Sequence, residues 1–133
     1  MHTLIVDDEA PARRRLRGVL QQIPAISRID ECASGREAVD VLARESPDLV
    51  FLDIQMPDLD GFAVAAAAQE RRAPPPAIVF VTAFDQHAVR AFEIHAFDYL
   101  LKPFDDERVV ETVERAAQFL DFLRQGGGGG GGG

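Results

Sequence analysis

The chain is poor in several things, and each shortage removes a class of protein. Cys32 is the only cysteine in 133 residues, so no internal disulfide can form, as suits a reducing compartment. It closes an alternating stretch and reads as a buried structural thiol rather than a nucleophile. No apolar run approaches the roughly 18 residues that a membrane-spanning helix needs, and no secretory signal precedes the first apolar run. The expectation is a cytoplasmic domain without a membrane partner. Positive charge is scarce: 14 Lys and Arg stand against 22 Asp and Glu, for a formal charge of −8. A broad basic face for direct nucleic-acid binding is therefore not expected in this segment. Arg13, Arg14, Arg15 and Arg17 do cluster, on what reads as the solvated face of a helix. Glycine is scarce once residues 126–133 are set aside, because that run holds eight of the eleven. The run reads as a tail (a linker, an expression scar or residues of unassigned identity). Residues 1–125 read as one domain, large enough to bury a core.

What the chain does have is a set of short apolar runs that stop on polar residues. Leu4-Ile5-Val6 stops on Asp7-Asp8, Leu49-Val50-Phe51-Leu52 on Asp53, and Tyr99-Leu100-Leu101 on Lys102-Pro103. A fourth, Ile78-Val79-Phe80-Val81, stops on Thr82. Short apolar runs bounded by turn signals read as strands buried on both faces, the kind found in parallel α/β sheets. Strands are expected at 3–6, 26–32, 49–52, 78–81 and 97–101, alternating with helices and showing no hairpin signals. The first helix runs from Ala10 to about Gln22, with Pro11 in its first turn. The second opens at Ser34, where Glu37 completes a capping box, and turns Ala38, Val41 and Leu42 inward. The third runs from Gly61 to about Arg71. The fourth is capped by Asp85 and turns Val89, Phe92 and Ile94 inward. The last, capped by Asp105, reaches about Leu123. The fold class is α/β: a doubly wound, five-stranded parallel sheet of order 2-1-3-4-5 with five helices, flavodoxin-like.

In such sheets ligands sit at the carboxyl ends of the strands. Asp7, Asp8, Asp53, Thr82 and Lys102 would all meet at that edge. No account based on core packing explains charge at the end of the most apolar segments. Carboxylates held together repel unless a cation sits among them, and hard oxygen ligands suit Mg²⁺. Lys102 is also the only lysine in the chain.

The segments Val6-Asp7-Asp8-Glu9, Leu52-Asp53-Ile54-Gln55-Met56-Pro57, Val81-Thr82-Ala83 and Tyr99-Leu100-Leu101-Lys102-Pro103 resemble the receiver domain of a bacterial two-component response regulator. The likeness covers residues 3–124. The wording Ile54-Gln55-Met56-Pro57 and the stretch Ala91-Phe92-Glu93-Ile94-His95-Ala96-Phe97-Asp98 are similar to the LytR/AlgR subgroup, which usually carries a LytTR-type DNA-binding domain after the receiver.

The resemblance implies that Asp53 accepts a phosphoryl group from a sensor histidine kinase. It implies Mg²⁺ held by Asp8, Asp53 and the backbone carbonyl of Gln55, with Asp7 acting partly through a water. It implies that Lys102 pairs with the phosphoryl group, that Thr82 and Tyr99 form the switch, and that the bond before Pro103 is cis. The chain would then be a signalling switch rather than an enzyme, changing only its own phosphorylation state. Gln55 and Phe84 would flank the path of attacking water, and the bulk of Phe84 is expected to slow hydrolysis. Phe119, Phe122 and Leu123, late in the last helix, would pack in a homodimer or lead into an output domain. His2, His87 and His95 have no ligand-like spacing and read as surface or helix-end residues. The sequence leaves open a stand-alone relay receiver, a receiver triggered by a partner alone, and a Mg²⁺-dependent phosphatase using an aspartyl phosphate.

Overall fold

In the computed structural model, which describes residues 1–70 and 74–127, strands and helices alternate along the chain. They are β1 (His2–Val6), α1 (Ala10–Leu20), β2 (Arg28–Cys32), α2 (Gly35–Arg44) and β3 (Leu49–Leu52). There follow α3 (Gly61–Gln69), β4 (Ala77–Thr82), α4 (Ala88–Glu93), β5 (Asp98–Leu101) and α5 (Asp106–Phe122), closed by a π-helical turn, Leu123–Gly127. The five strands are parallel in the order β2-β1-β3-β4-β5. No described helix is long and apolar enough to cross a membrane. The expected tail meets the described residues only at Gly126 and Gly127. Residues 128–133, and Arg71 at the expected end of α3, lie outside them.

The sheet divides its side chains with the period of two that a pleated strand imposes. Leu4, Val6, Val50, Leu52, Ile78 and Phe80 face a layer built by α2 and α3, together with Ala91 of α4. Ile5, Leu49, Phe51, Val79, Val81 and Leu100 face α1 and α5. Both faces are covered over the inner strands β1, β3 and β4, which is why these read as apolar runs, whereas the edge strand β2 is charged and largely part-exposed.

Local chemistry sets the helix ends. The Ser34 hydroxyl accepts from the Glu37 N–H at 3.1 Å, but the Glu37 carboxylate reaches back to the N–H of Ala33, one residue earlier than a capping box requires. Asp60 caps α3 through the N–H of Ala63 at 2.9 Å. Neither Asp85 nor Asp105 supplies a side-chain cap. His87 occupies the position before α4, and Asp105 receives Arg108 and Val109 through its backbone carbonyl alone.

The inward face expected for α4 is wrong at two positions. Val89 is 70% and Phe92 81% exposed, and Ala91 is the only buried residue of the helix. A helix of two turns at the sheet's border has room to bury only one narrow stripe, and the small Ala91 fills it. Ile94 does pack against the core. His95 then stops the helix in the left-handed region, at φ 62°. Its N–H donates to Phe92 O, and the N–H of Ala96 donates to Ala91 O, both at 3.0 Å, a Schellman ending without its usual glycine. At α5, Val109, Val113 and Ala116 are buried while Phe119 and Phe122 are exposed, so the helix outruns the sheet.

Candidate functional site

The backbone ladder continues one residue past the strands and fixes the polar stops. Asp7 N–H donates to Cys32 O at 3.1 Å, Asp53 N–H to Val6 O at 2.9 Å, and Lys102 N–H to Thr82 O at 2.8 Å. The side chains of Asp7, Asp53 and Lys102 therefore leave the same edge of the sheet, Asp7 and Asp53 from the adjoining strands β1 and β3 and Lys102 from β5, with β4 between. Lys102 is followed by a cis bond to Pro103. Gly61 packs against the loop after Asp53 so closely that a Cβ there would stand 2.5 Å from Asp53 O. Its N–H donates to Ile54 O at 2.8 Å, which ties α3 to that loop.

Charge is concentrated where solvent is thin. Asp7 is 5% and Asp53 7% exposed, whereas Asp8 lies open to solvent. Lys102 Nζ sits 2.8 Å from Asp7 Oδ2, 3.5 Å from Asp53 Oδ2 and 3.9 Å from Glu9 Oε1. Asp7 is oriented further by the Glu9 N–H on its Oδ1 at 2.9 Å, and Arg13 donates to its carbonyl at 2.7 Å. Burial raises the Asp53 carboxyl above its ordinary range, and Asp7 adds to that against the opposing charge of Lys102. Burial also works against the charge on Lys102, but Asp7 and Asp53 outweigh it and the ammonium is held above its usual value. One ammonium among three aspartates leaves the pocket net negative. A carboxylate oxygen from each of Asp7, Asp8 and Asp53 can be chosen so that all lie within 4.8 Å of one another.

Thr82, at the end of β4, is fully buried, and its Oγ1 has no hydrogen-bond partner. Among the described residues only Thr3, farther back along β1, shares that condition. An unpaired buried hydroxyl costs about 1–3 kcal/mol, and Thr82 directly precedes Ala83, which borders the cleft over Asp53. Tyr99 is half-buried, and its hydroxyl donates to the carbonyl of Phe84, linking β5 to the loop after β4. Burial raises its phenol above the ordinary value. An open cleft of about 300 Å³ lies over Asp53, bordered by Asp8, Glu9, Gln55, Ala83, Phe84 and Lys102.

The structure thus brings together Asp7, Asp8, Asp53, Gln55 and Lys102, with Thr82 and Tyr99 on the neighbouring strands. Sequence reasoning gave no role to Glu9, which lines the cleft, although it sits inside the quoted Val6-Asp7-Asp8-Glu9 segment. It also missed Asp58, whose carboxylate accepts from the N–H groups of Gly35 and Arg36 at 3.2 and 2.9 Å and so anchors the start of α2. No local pattern marks a cap supplied from a distant loop. His2 was read as a surface residue, but its ring is bonded to Asp30 at 2.7 Å, and Arg28 joins Asp30 to Glu45.

An acidic pocket at the carboxyl edge of a doubly wound parallel sheet defines the class to which this molecule belongs: an α/β module with a carboxylate-rich cleft at its strand ends. The chain belongs to the response regulator receiver domains of two-component systems, whose sequence profile matches residues 3–114. It is 44% identical over 115 residues to the sensory transduction protein LytT of Bacillus anthracis, covering 86% of this chain and 46% of LytT. It is 45% identical over 115 residues to the transcriptional regulatory protein BtsR of Escherichia coli K12, covering 86% and 47%. The chain therefore spans about half the length of these relatives. The response regulatory domain of mrkE from Klebsiella pneumoniae superposes with a TM-score of 0.85 at 33% identity, covering 91% of this chain and 98% of that one. The response regulator TrrA of Thermotoga maritima, solved with Mg²⁺ and BeF, gives 0.77 at 30% identity, covering 87% and 99%.

Proposed function

We propose that this domain is a phosphorylation-activated switch that takes a phosphoryl group on Asp53 from a sensor histidine kinase. The observation that carries the reading is the pairing of a buried, charge-flanked Asp53 with the orphaned hydroxyl of Thr82 on the adjoining strand. In the transfer, a carboxylate oxygen of Asp53 bonds to phosphorus while the P–N bond of the phosphohistidine breaks, its electron pair returning to the imidazole. Such transfers need positioning and charge neutralisation more than covalent help.

The residues present fit a magnesium ion: hard oxygen donors, net negative, close enough to share one cation. Asp8, Asp53 and the carbonyl of Gln55 would hold it, with Asp7 assisting through a water. Bound there, it would neutralise charge on the phosphoryl oxygens. Lys102, now on Asp7 and Asp53, would give its second contact to a phosphoryl oxygen, a task suited to a compact point charge. The Thr82 hydroxyl would donate to another. Its movement, together with the release of Tyr99 from Phe84 O, would alter the loop leading to α4, whose Val89 and Phe92 already face outward. Partners, including a second copy of the phosphorylated domain, would read that altered surface. Residues 1–125 would form the receiver and 126–133 its tail. The half of the relatives' length that this chain does not span would carry the output, a LytTR-type DNA-binding domain, in keeping with the transcriptional name of BtsR.

The test is the intact mass of the protein after incubation with acetyl phosphate, with and without Mg²⁺, beside Asp53→Asn. A labile adduct of one phosphoryl group, dependent on Mg²⁺ and missing from the variant, is expected. An adduct that persists in Asp53→Asn would refute the assignment.

A further inference from the structure

The rim of the cleft nearest α4 carries a contact that the transfer chemistry does not use. Gln55 extends from the loop after Asp53, and its Nε2 lies 3.5 Å from Nε2 of His87. The His87 ring is held edge-on by Phe62, with centroids 5.9 Å apart at 67°, and by Phe84, at 6.5 Å and 74°. Phe62 is itself fixed between Phe80, 5.0 Å away, and the guanidinium of Arg90, 4.1 Å from its ring centre. The His87 side chain makes no capping bond to α4, so these aromatic contacts set its position. Gln55 and Phe84 both border the cleft over Asp53. One imidazole therefore lies against two of the side chains that border the cleft over Asp53.

Resting on the reading of Asp53 as phosphoacceptor, we infer that His87 is a positioning residue that lengthens the life of the phosphoryl group by docking the Gln55 carboxamide toward α4. Hydrolysis of the acyl phosphate bonds a water oxygen to phosphorus while the P–O bond to Asp53 breaks. The electron pair returns to the carboxylate, and inorganic phosphate leaves with one water proton while the other passes to solvent. A freely moving carboxamide accepts a hydrogen bond from that water and orients it, which is a rate advantage. Neutral imidazole has one acceptor nitrogen, and a carboxamide N–H fills it. Docked there, Gln55 is turned toward its neighbour rather than toward the water.

The test follows phosphoryl loss by intact mass after acetyl phosphate and Mg²⁺ are removed from the phosphorylated protein. His87→Leu, which keeps bulk but offers no acceptor, is expected to shorten the half-life about threefold, the worth of one modest hydrogen bond. His87→Gln restores an acceptor and should recover the original half-life. In a Gln55→Ala background, His87→Leu should change nothing. An unchanged half-life in His87→Leu, or the same acceleration without Gln55, overturns the inference and leaves the phosphoacceptor reading standing. An adduct that forms equally in Asp53→Asn overturns that reading, and the inference falls with it.

Discussion

Asp98 stands at the head of β5 with its carboxylate facing five donors. Two nitrogens of Arg108 approach at 2.8 Å, the Thr112 hydroxyl at 2.7 Å and the Tyr99 N–H at 2.8 Å, and Arg115 adds a fifth contact. Burial alone would raise this carboxyl, but the donors overcome it and hold the group at about 2 against an ordinary 3.8. A depressed native value means that the stabilisation is complete well above the unfolded value and is lost as pH falls through the native one. The shift corresponds to about 2 kcal/mol at neutral pH, falling to about 1 at pH 3 and about half a kcal/mol at pH 2. The Asp98 side chain is only 12% exposed, but its partners Arg108 and Arg115 are 41% and 52% exposed, so solvent screening trims this figure. Asp98→Asn keeps the shape, removes the charge and leaves Arg108 facing an amide. It should cost about 2–3 kcal/mol at pH 7. Urea unfolding of both proteins, followed by circular dichroism at pH 7, 4 and 3, gives the difference directly. The gap should narrow by about 1 kcal/mol between pH 7 and pH 3. A gap independent of pH, or one smaller than about 0.5 kcal/mol at pH 7, would show that the clamp does not act through its charge.

Other outcomes follow from single positions. Gly61→Ala forces a Cβ against Asp53 O and Ile54 Cα, at 2.5 and 2.9 Å. It should destabilise by about 1–3 kcal/mol and slow phosphorylation, and normal rates with normal stability would count against the close approach. Phe92→Ser, at a side chain 81% exposed, should change stability by less than about 0.5 kcal/mol; a larger loss in thermal unfolding would return Phe92 to the core. Cys32 is 1% exposed and its thiol is pushed up to about 12, chiefly by burial. It should resist iodoacetamide at pH 8 until denaturant is added, and rapid labelling of the native protein would contradict its burial. His95→Gly relieves a left-handed residue and should stabilise by up to about 1 kcal/mol in the same urea assay.

The sequence by itself determined the sheet and the identity of the pocket. Strands buried on both faces need unbroken apolar runs, so Leu49 to Leu52 could be bounded to the residue, and the polar stops after the runs marked the edge where the cleft lies. Tyr99, Lys102 and Thr82 were legible for the same reason, because each sits at a fixed place in or just beyond a run. What the sequence could not determine was which way a short helix turns. An amphipathic spacing at Val89 and Phe92 looks like any inward stripe, and only the place of α4 at the sheet's border leaves both side chains in solvent. The same holds for contacts between residues far apart in the chain. The fork of Arg108 on Asp98, the hold of Asp58 on α2, and the meeting of Gln55 with His87 depend on how loops and helices pack. Local pattern encodes periodicity and end chemistry, whereas these pairings exist only once the sheet has fixed its neighbours in space.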